Sequence, residues 1–149
     1  MLLPRAQSSG VAVAPLQGPE RLCLRADRRR LIQAVLNLCG NAIKYNVSGG
    51  QVTVTWGLDP WDCCVITVVD TGIGMSPQDL TTALTPFGRI SSQVGLAVEG
   101  TGLGLPLTSR IIELHGGTLT VDSVFGEGTI VTISLPQGRV RPPTELVVG

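Results

Sequence analysis

The residues whose types and spacing point most directly to chemistry are two asparagines and a lysine on one predicted helix. Segment 27–46 carries apolar residues at the i, i+3, i+4 and i+7 spacing of a buried helical stripe. A second, polar stripe lies on another face and gathers Arg30, Gln33, Asn37, Asn41 and Lys44. Asparagine is a poor helix former because its amide competes for backbone partners, so helix stability does not explain this face. Its amide and ammonium groups suit a metal-bound phosphate chain, and the alternative is a merely solvated face.

Two glycine clusters accompany the next candidate residue. Asp70 ends a predicted strand and is followed by Gly72 and Gly74, and a second cluster, 100–105, precedes a helix. Thr101 occupies the position where a P-loop requires lysine, and neither cluster has the strand-to-helix context of a Rossmann fingerprint. The better interpretation is a flexible loop whose backbone N–H groups approach phosphates at a helix N-terminus. Asp70 is then free to accept a hydrogen bond from a base amino group; the alternative is a turn-forming aspartate.

Length and composition restrict the function classes. The 149 residues suffice for one domain, and 43% hydrophobic against 15% charged residues indicates a globular chain. Eleven basic and eleven acidic residues cancel, which gives no electrostatic case for nucleic acid or an anionic membrane as the main partner. Arginines at 25 and 28–30 are a local exception, interpreted as a solvated helix start or a partner-binding patch. Without a transmembrane-length run, a signal peptide or C-x-x-C spacing, we expect a cytoplasmic protein with reduced thiols.

The periodicity predicts one sheet and three helices. Asp27 is the expected N-cap of the first helix, and Ser76 that of a second helix, which Pro77 begins. The predicted elements are a strand at 21–24, the helix 27–46, a hairpin of strands 51–56 and 63–69, the helix 77–84, an irregular loop 90–99, the helix 106–115 with Ile111, Ile112 and Leu114 on its apolar side, and a hairpin of strands 118–124 and 129–135. This layout predicts an α+β fold, a mixed, mostly antiparallel sheet covered on one face by three helices.

The chain divides into three predicted parts. Residues 1–18 are expected to be a linker with a possible short strand at 11–14. Residues 19–137 form the predicted domain, and residues 138–149 a flexible tail, the chain being loose from Pro136 onward.

Four segments in order resemble the boxes of the catalytic ATP-binding domain of sensor histidine kinases. Residues 37–45 resemble the N box, residues 70–75 the G1 box, residues 86–89 the F box and residues 100–105 the G2 box. Two further segments, 115–117 and 126–129, match the family's closing motifs, so the resemblance covers roughly residues 22–136. It implies the two-layer α/β sandwich of the Bergerat fold, which gyrase, the mismatch-repair ATPases and the heat-shock chaperones share.

The resemblance implies ATP and Mg²⁺ as ligands and a role for each matching residue. Asp70 would accept a hydrogen bond from the adenine amino group with support from Thr129, and Asn41 would offer its amide oxygen to Mg²⁺. Lys44 and Arg89 would neutralise phosphate charge. The loop 90–99 would be the ATP lid, with glycines 100, 102 and 104 as its hinge and phosphate nest, while Gly72 and Gly74 would let the backbone pass close to the base. The implied nucleotide-binding set is Asn37, Asn41, Lys44, Tyr45, Asp70, Gly72, Ile73, Gly74, Met75, Phe87, Gly100, Thr101, Gly102, Leu103, Gly104, Leu105 and Thr129.

The resemblance also implies that the residue type at position 37 separates relatives that hydrolyse ATP from those that transfer its phosphoryl group to a protein. In the hydrolysing relatives this position holds a glutamate that activates water, and an amide cannot act as a general base at neutral pH. The implied catalytic residues are therefore Asn37, Lys44 and Arg89, acting on a histidine of a separate dimerisation domain, with a response regulator downstream and no direct membrane contact by this domain. His115, the only histidine, is expected to be a helix cap and not a phosphoacceptor. A serine kinase of the anti-sigma type and a nucleotide-sensing pseudokinase remain as alternatives.

Overall fold

The computed structural model describes residues 10–13, 18, 22–84 and 104–141. The helices in this part of the chain are α1 (Arg28–Lys44), α2 (Pro77–Ala83) and α3 (Gly104–Leu114), followed by a 3₁₀ turn at Gln137–Arg139. The strands are β1 (Ala12–Val13), β2 (Cys23–Leu24), β3 (Gln51–Leu58), β4 (Cys64–Asp70), β5 (Thr118–Val124), β6 (Gly128–Leu135) and β7 (Val140–Arg141).

Five strands form one sheet in the order β1-β3-β4-β6-β5. β1 runs parallel to β3, and every other neighbouring pair is antiparallel. Both predicted hairpins are present, and β4, whose β-branched run predicted a central strand, lies in the middle. The prediction of a mixed, mostly antiparallel sheet with three helices is confirmed. β2 and β7 form a separate two-stranded ribbon.

α1 buries its apolar stripe against the sheet and α3. Ala34, Leu38 and Ile43 are almost completely shielded from solvent, and a large aliphatic side chain buried in this way contributes about 1.5–3 kcal/mol. The helix begins where predicted because the Asp27 carboxylate accepts a hydrogen bond of 3.1 Å from the backbone N–H of Arg30. The stripe and the cap together fix which face of α1 remains for the polar residues.

α3 differs from its prediction in two respects. It begins at Gly104 and not at Pro106, because a proline in the first turn removes only an N–H that has no helical partner. Its buried side holds Thr108 and Ile112, whereas Leu114, predicted to be buried, is 60% exposed. The prediction for Leu114 was wrong because residues 108, 111, 112 and 115 form the stripe that faces α1 and the sheet.

The end of the described chain is more ordered than predicted. The expectation of a loose chain from Pro136 is wrong for residues 137–141, which form the 3₁₀ turn and β7. The backbone N–H of Arg25 donates to the carbonyl of Arg139 at 2.6 Å, and Arg139 Nη1 donates to the Arg25 carbonyl at 3.2 Å. These bonds hold the β2–β7 ribbon beside the start of α1. Residues 142–149 lie outside the described part.

The described residues of segment 1–18 belong to the sheet or touch it. The possible strand at 11–14 is confirmed as β1, and Val11 joins the hydrophobic core. Gly18 lies against the ring of Trp56, so closely that a Cβ there would overlap the ring. No helix of the described residues is both long and apolar enough to cross a membrane.

Candidate nucleotide-binding site

Asp70 lies at the end of the central strand, where the sheet opens onto a glycine-containing loop. It pairs with Thr129 across the β4–β6 ladder, and its Oδ1 accepts a hydrogen bond of 2.9 Å from the backbone N–H of Gly72. Burial raises the pKa of the Asp70 carboxyl, and backbone hydrogen bonds from Gly72 and Thr129 partly offset that rise. A partly desolvated carboxylate with one oxygen engaged by the backbone is suited to accept a further hydrogen bond from a ligand.

The loop after Asp70 is bound to the β5–β6 hairpin. Gly126 N–H donates to the Ile73 carbonyl at 2.6 Å, and Met75 N–H donates to Ser123 Oγ at 2.8 Å. The Ser123 hydroxyl also lies 2.7 Å from Thr129 Oγ1. Ser123 was not predicted from the sequence, because its spacing in a solvent-alternating strand carries no sign of these contacts. The G1 segment is therefore held by two hydrogen bonds to a neighbouring hairpin.

Two glycines of this loop are required by the protein's own packing. A Cβ on Gly72 would lie 2.5 Å from the Tyr45 carbonyl oxygen. Gly74 has φ +67°, a conformation that favours glycine. A Cβ added at Gly74 would overlap the carbonyl of Val124, at a separation well below the 3.0 Å at which Cβ atoms normally approach other atoms. The prediction that these glycines admit an adenine base stays a prediction, while their internal role follows from geometry.

The C-terminal end of α1 meets the same loop. Ile73 N–H donates to the Tyr45 carbonyl at 3.2 Å, immediately after the last turn of α1. On that helix Asn37, Asn41 and Lys44 are half-buried, whereas Arg30 and Gln33, nearer its start, are exposed. The polar stripe thus runs from solvent towards the loop that carries Asp70, and the segments that carry the two groups of candidate residues meet at Tyr45 and Ile73.

Several predicted site residues lie outside the described part of the chain. They are Phe87, Arg89, the loop 90–99, Gly100, Thr101, Gly102 and Leu103. Gly104 is the first residue of α3, and Leu105 in the next position packs against the hydrophobic core. Leu105 therefore anchors the start of α3, whatever it contributes to a ligand.

The donor set of the site suits a metal that arrives with phosphate. Among the described residues there is no group of three or more His, Cys, Asp or Glu side chains that could hold a metal ion by themselves. Mg²⁺ commonly takes one or two protein oxygens and completes its octahedron with phosphates and water. The half-buried amide of Asn41 fits that requirement.

His115 is a structural residue at the far end of α3. It is 6% exposed, its Nδ1 lies 2.8 Å from the Ile111 carbonyl, and its Nε2 lies 3.0 Å from the backbone N of Asp27. In this arrangement Nδ1–H donates to the carbonyl and Nε2 accepts from the N–H. The expected capping role fits this geometry, and the ring also ties α3 to the start of α1.

Comparison with known proteins decides the family. Residues 26–139 match the model described as "Histidine kinase-, DNA gyrase B-, and HSP90-like ATPase". The chain belongs to this family. Its histidine kinase relatives include DivJ of Caulobacter vibrioides, 45% identical over an alignment of 142 positions that covers 91% of this chain and 23% of DivJ. PdhS of Brucella canis is 41% identical over an alignment of 123 positions that covers 77% of this chain and 12% of PdhS.

Solved histidine kinases share the fold of this family member. Full-length ShkA in complex with AMPPNP superposes with a TM-score of 0.76 at 29% identity, covering 89% of this chain and 27% of ShkA. The mycobacterial sensor histidine kinase MprB gives 0.74 at 29% identity, covering 95% of this chain and 89% of that structure. The prediction of a histidine kinase ATP-binding domain is confirmed, as is the α/β sandwich, and the serine kinase alternative is not favoured. The chain spans about a quarter or less of the length of the two kinases, DivJ and PdhS, compared by sequence.

Proposed function

We propose that this chain binds Mg-ATP and transfers its γ-phosphoryl group to a histidine on a separate dimerisation domain of a sensor kinase. The observation that carries the proposal is the junction of α1 with the Asp70 loop at Tyr45 and Ile73. It joins a helix face that bears amide and ammonium groups to a loop that bears a partly desolvated carboxylate. The amide and ammonium groups suit the phosphate end of a nucleotide, and the carboxylate suits its base.

Base recognition is assigned to Asp70. Its carboxylate accepts from the adenine amino group, and guanine, which carries a carbonyl at that position, offers no donor. Thr129 supports this arrangement from the neighbouring strand, where its hydroxyl is bound to Ser123. Ile73 and Met75, held in place by the β5–β6 hairpin, wall the base.

The phosphate end is assigned to α1. Asn41 holds Mg²⁺, Lys44 neutralises phosphate charge, and Arg89 adds a second positive charge from the F box. When bound, Mg²⁺ would supply neutralisation of phosphate charge. Phosphoryl transfer asks the protein mainly for positioning and electrostatics, which amide, ammonium and guanidinium groups supply.

Asn37 directs the reaction away from water. It stands one turn before Asn41, at the place of a general base in the hydrolysing relatives, and its amide cannot take a proton from water at neutral pH. The histidine of this chain, His115, is buried and bonded at both nitrogens, so the acceptor comes from another domain. A response regulator then receives the phosphoryl group, and the domain works in the cytoplasm.

A chimera of DivJ tests the transfer. The segment of DivJ that matches this chain is replaced by residues 1–149, and the purified chimera is incubated with γ-phosphate-labelled ATP and Mg²⁺. We expect acid-labile, base-stable label on the chimera, lost when Asn41 is replaced by alanine and retained when the exposed Glu113 is replaced by alanine. Label on serine, or label that survives the Asn41→Ala substitution, contradicts the proposal.

A further inference from the structure

The first turn of α1 carries three arginines where a helix least favours them. Arg28, Arg29 and Arg30 are its first three residues, all are exposed, and no acidic residue lies in that turn. The N-terminal end of a helix carries partial positive charge, so basic side chains there are electrostatically unfavourable. This arginine cluster (residues 28–30) therefore works against helix stability, and its explanation lies outside the helix.

The arginine cluster has little charge compensation within the described residues. Arg30 Nε approaches Asp27 Oδ2 only to 3.8 Å, and both side chains are more than half exposed, so water screens the pair. Arg28 and Arg29 form no ion pair among the described residues. Arg25, also exposed, adds a further positive charge beside β7. The chain as a whole has no net charge, but the segment around the start of α1 carries a local excess of positive charge.

An open cleft lies at the start of α1, beside this cluster. It has a volume of about 430 Å³ and is lined by Asp27, Arg29, Arg30 and Gln33. Arg30 and Gln33 belong to the polar stripe, and Gln33 precedes Asn37 by one turn. From Gln33 to Asn41 the helix rises about 12 Å. The cleft is therefore the solvent-facing continuation of the face proposed to hold the phosphates.

Exposed aliphatic side chains border the cluster on the adjoining face. Ile32 is 46% exposed and Leu36 39% exposed, and both follow Arg28 at successive four-residue steps along α1. An apolar strip beside arginine side chains is a common composition of a protein contact surface, and a free phosphate makes no use of the strip.

We infer that the cleft of Asp27, Arg29, Arg30 and Gln33 docks a carboxylate-bearing segment of the domain that supplies the phosphoacceptor histidine. The Asp27 carboxylate in this cleft is engaged by the backbone N–H and the Nε of Arg30, which leaves Arg29 to face the segment. This inference rests on the proposed function. A histidine that attacks the γ-phosphate must come close to Asn37, so the domain carrying it lies over the exposed start of α1. Arginine forks bind carboxylates in bidentate geometry, and Ile32 and Leu36 supply the apolar part of the contact.

The binding test uses Arg29, which lies in the cleft and outside the proposed nucleotide contacts. The probe is the segment of DivJ, about 100 residues, that directly precedes its region matching this chain, immobilised for biolayer interferometry. We expect Arg29→Glu to weaken binding at least about tenfold, because it places like charges opposite each other in the contact, and to reduce the salt dependence of binding. Glutamate at this position favours the helix dipole, so the fold is retained.

The matched control is Arg110→Glu, a reversal of another exposed helical arginine outside the cleft. It should leave binding of the DivJ segment unchanged, and both variants should bind Mg-ATP as the unmodified chain does. In transfer to the DivJ segment, Arg29→Glu should raise KM for the segment and leave kcat nearly unchanged.

Three results would overturn the docking surface. They are failure of the unmodified chain to bind the DivJ segment, equal weakening by Arg29→Glu and Arg110→Glu, and Arg29-dependent binding to vesicles of phosphatidylcholine and phosphatidylglycerol without binding to the segment. Arg29-dependent binding of the segment without any histidine label would support the docking surface and contradict the proposed transfer, so the two failures are distinguishable.

Discussion

Replacing Gly74 by alanine tests whether the Asp70 loop is held against the β5–β6 hairpin. Gly74 has φ +67°, a conformation that costs an L-residue roughly 1–2 kcal/mol. Its new Cβ would also overlap the Val124 carbonyl, a backbone group at the end of β5 that cannot rotate away. Overpacking of this kind costs about 1–3 kcal/mol, so we expect a total loss of about 2–5 kcal/mol in the free energy of unfolding.

The loop cannot escape this overlap cheaply. Moving it away from β5 breaks the hydrogen bonds Gly126 N–H to Ile73 O and Met75 N–H to Ser123 Oγ, each contributing about 1 kcal/mol. The displaced segment also carries the residues proposed to wall the base. Affinity for ATP should therefore fall together with stability.

Gly126→Ala is the matched control. Gly126 has φ +86°, but no atom lies within 4 Å of the position that a Cβ would take, so only the conformational cost of about 1–2 kcal/mol applies. Urea denaturation followed by circular dichroism measures both variants, and calorimetric titration measures their ATP affinity. For a domain of this size each kcal/mol lowers Tm by about 2–4 °C. Equal losses in the two variants would refute the close approach of Gly74 to Val124.

Four further outcomes follow from the structure. Ile112→Ala, at a fully buried position, should cost about 2–5 kcal/mol, and a loss below about 1 kcal/mol in urea titration would contradict its place in the core. His115→Ala leaves the Asp27 N–H without its acceptor and should cost about 1–3 kcal/mol; His115→Gln, which can restore an acceptor, should cost less, as thermal melts would show. Because burial raises the pKa of Asp70, the carboxylate should take up a proton at a pH above 3.8, the ordinary pKa of an aspartate. ATP affinity should therefore fall as the pH is lowered towards that value, and Asp70→Asn should remove this pH dependence. The isolated chain should release phosphate from ATP slowly and acquire little label, and brisk hydrolysis would contradict the role of Asn37.

The raised pKa of Asp70 also has a consequence for stability. A carboxyl whose pKa is higher in the folded protein than in the unfolded chain binds protons more tightly when folded, so its stabilising contribution is present in acid. That contribution is lost as the pH rises through the folded pKa. Asp70→Asn should therefore raise Tm at neutral pH, and this gain should shrink in acid. A lower Tm for Asp70→Asn at neutral pH would show that burial does not penalise the carboxylate.

Periodicity and capping patterns in the sequence predicted the elements that interactions between neighbouring residues determine. The apolar period of α1, the Asp27 and Ser76 caps and the two hairpins all depend on residues within a few positions of one another. The same period separated the polar stripe of α1 from its buried face. The candidate residues on α1 and after β4 could therefore be named from the sequence, and the fold showed that their segments meet.

Contacts between distant residues escaped prediction. The bond between His115 and Asp27 spans 88 positions, and Ser123 is tied to Met75 across 48. Neither residue type nor spacing signals such partners, because a serine in an alternating strand usually faces water. The β2–β7 ribbon joins segments at opposite ends of the domain, which is why the expected loose tail was wrong there. Tertiary packing also exposed Leu114 and buried Thr108.

Nucleotide discrimination tests the central claim most directly, because it probes the junction of α1 with the Asp70 loop without any partner domain. Calorimetric titration of the isolated chain compares ATP and GTP, with and without Mg²⁺, for the unmodified protein and for Asp70→Asn. We expect Mg²⁺-dependent binding of ATP, much weaker binding of GTP, and a loss of about tenfold in ATP affinity on Asp70→Asn, the size of one charge-assisted hydrogen bond. Equal affinity of the unmodified chain for ATP and GTP, or an Asp70→Asn variant that binds ATP undiminished, would contradict the account.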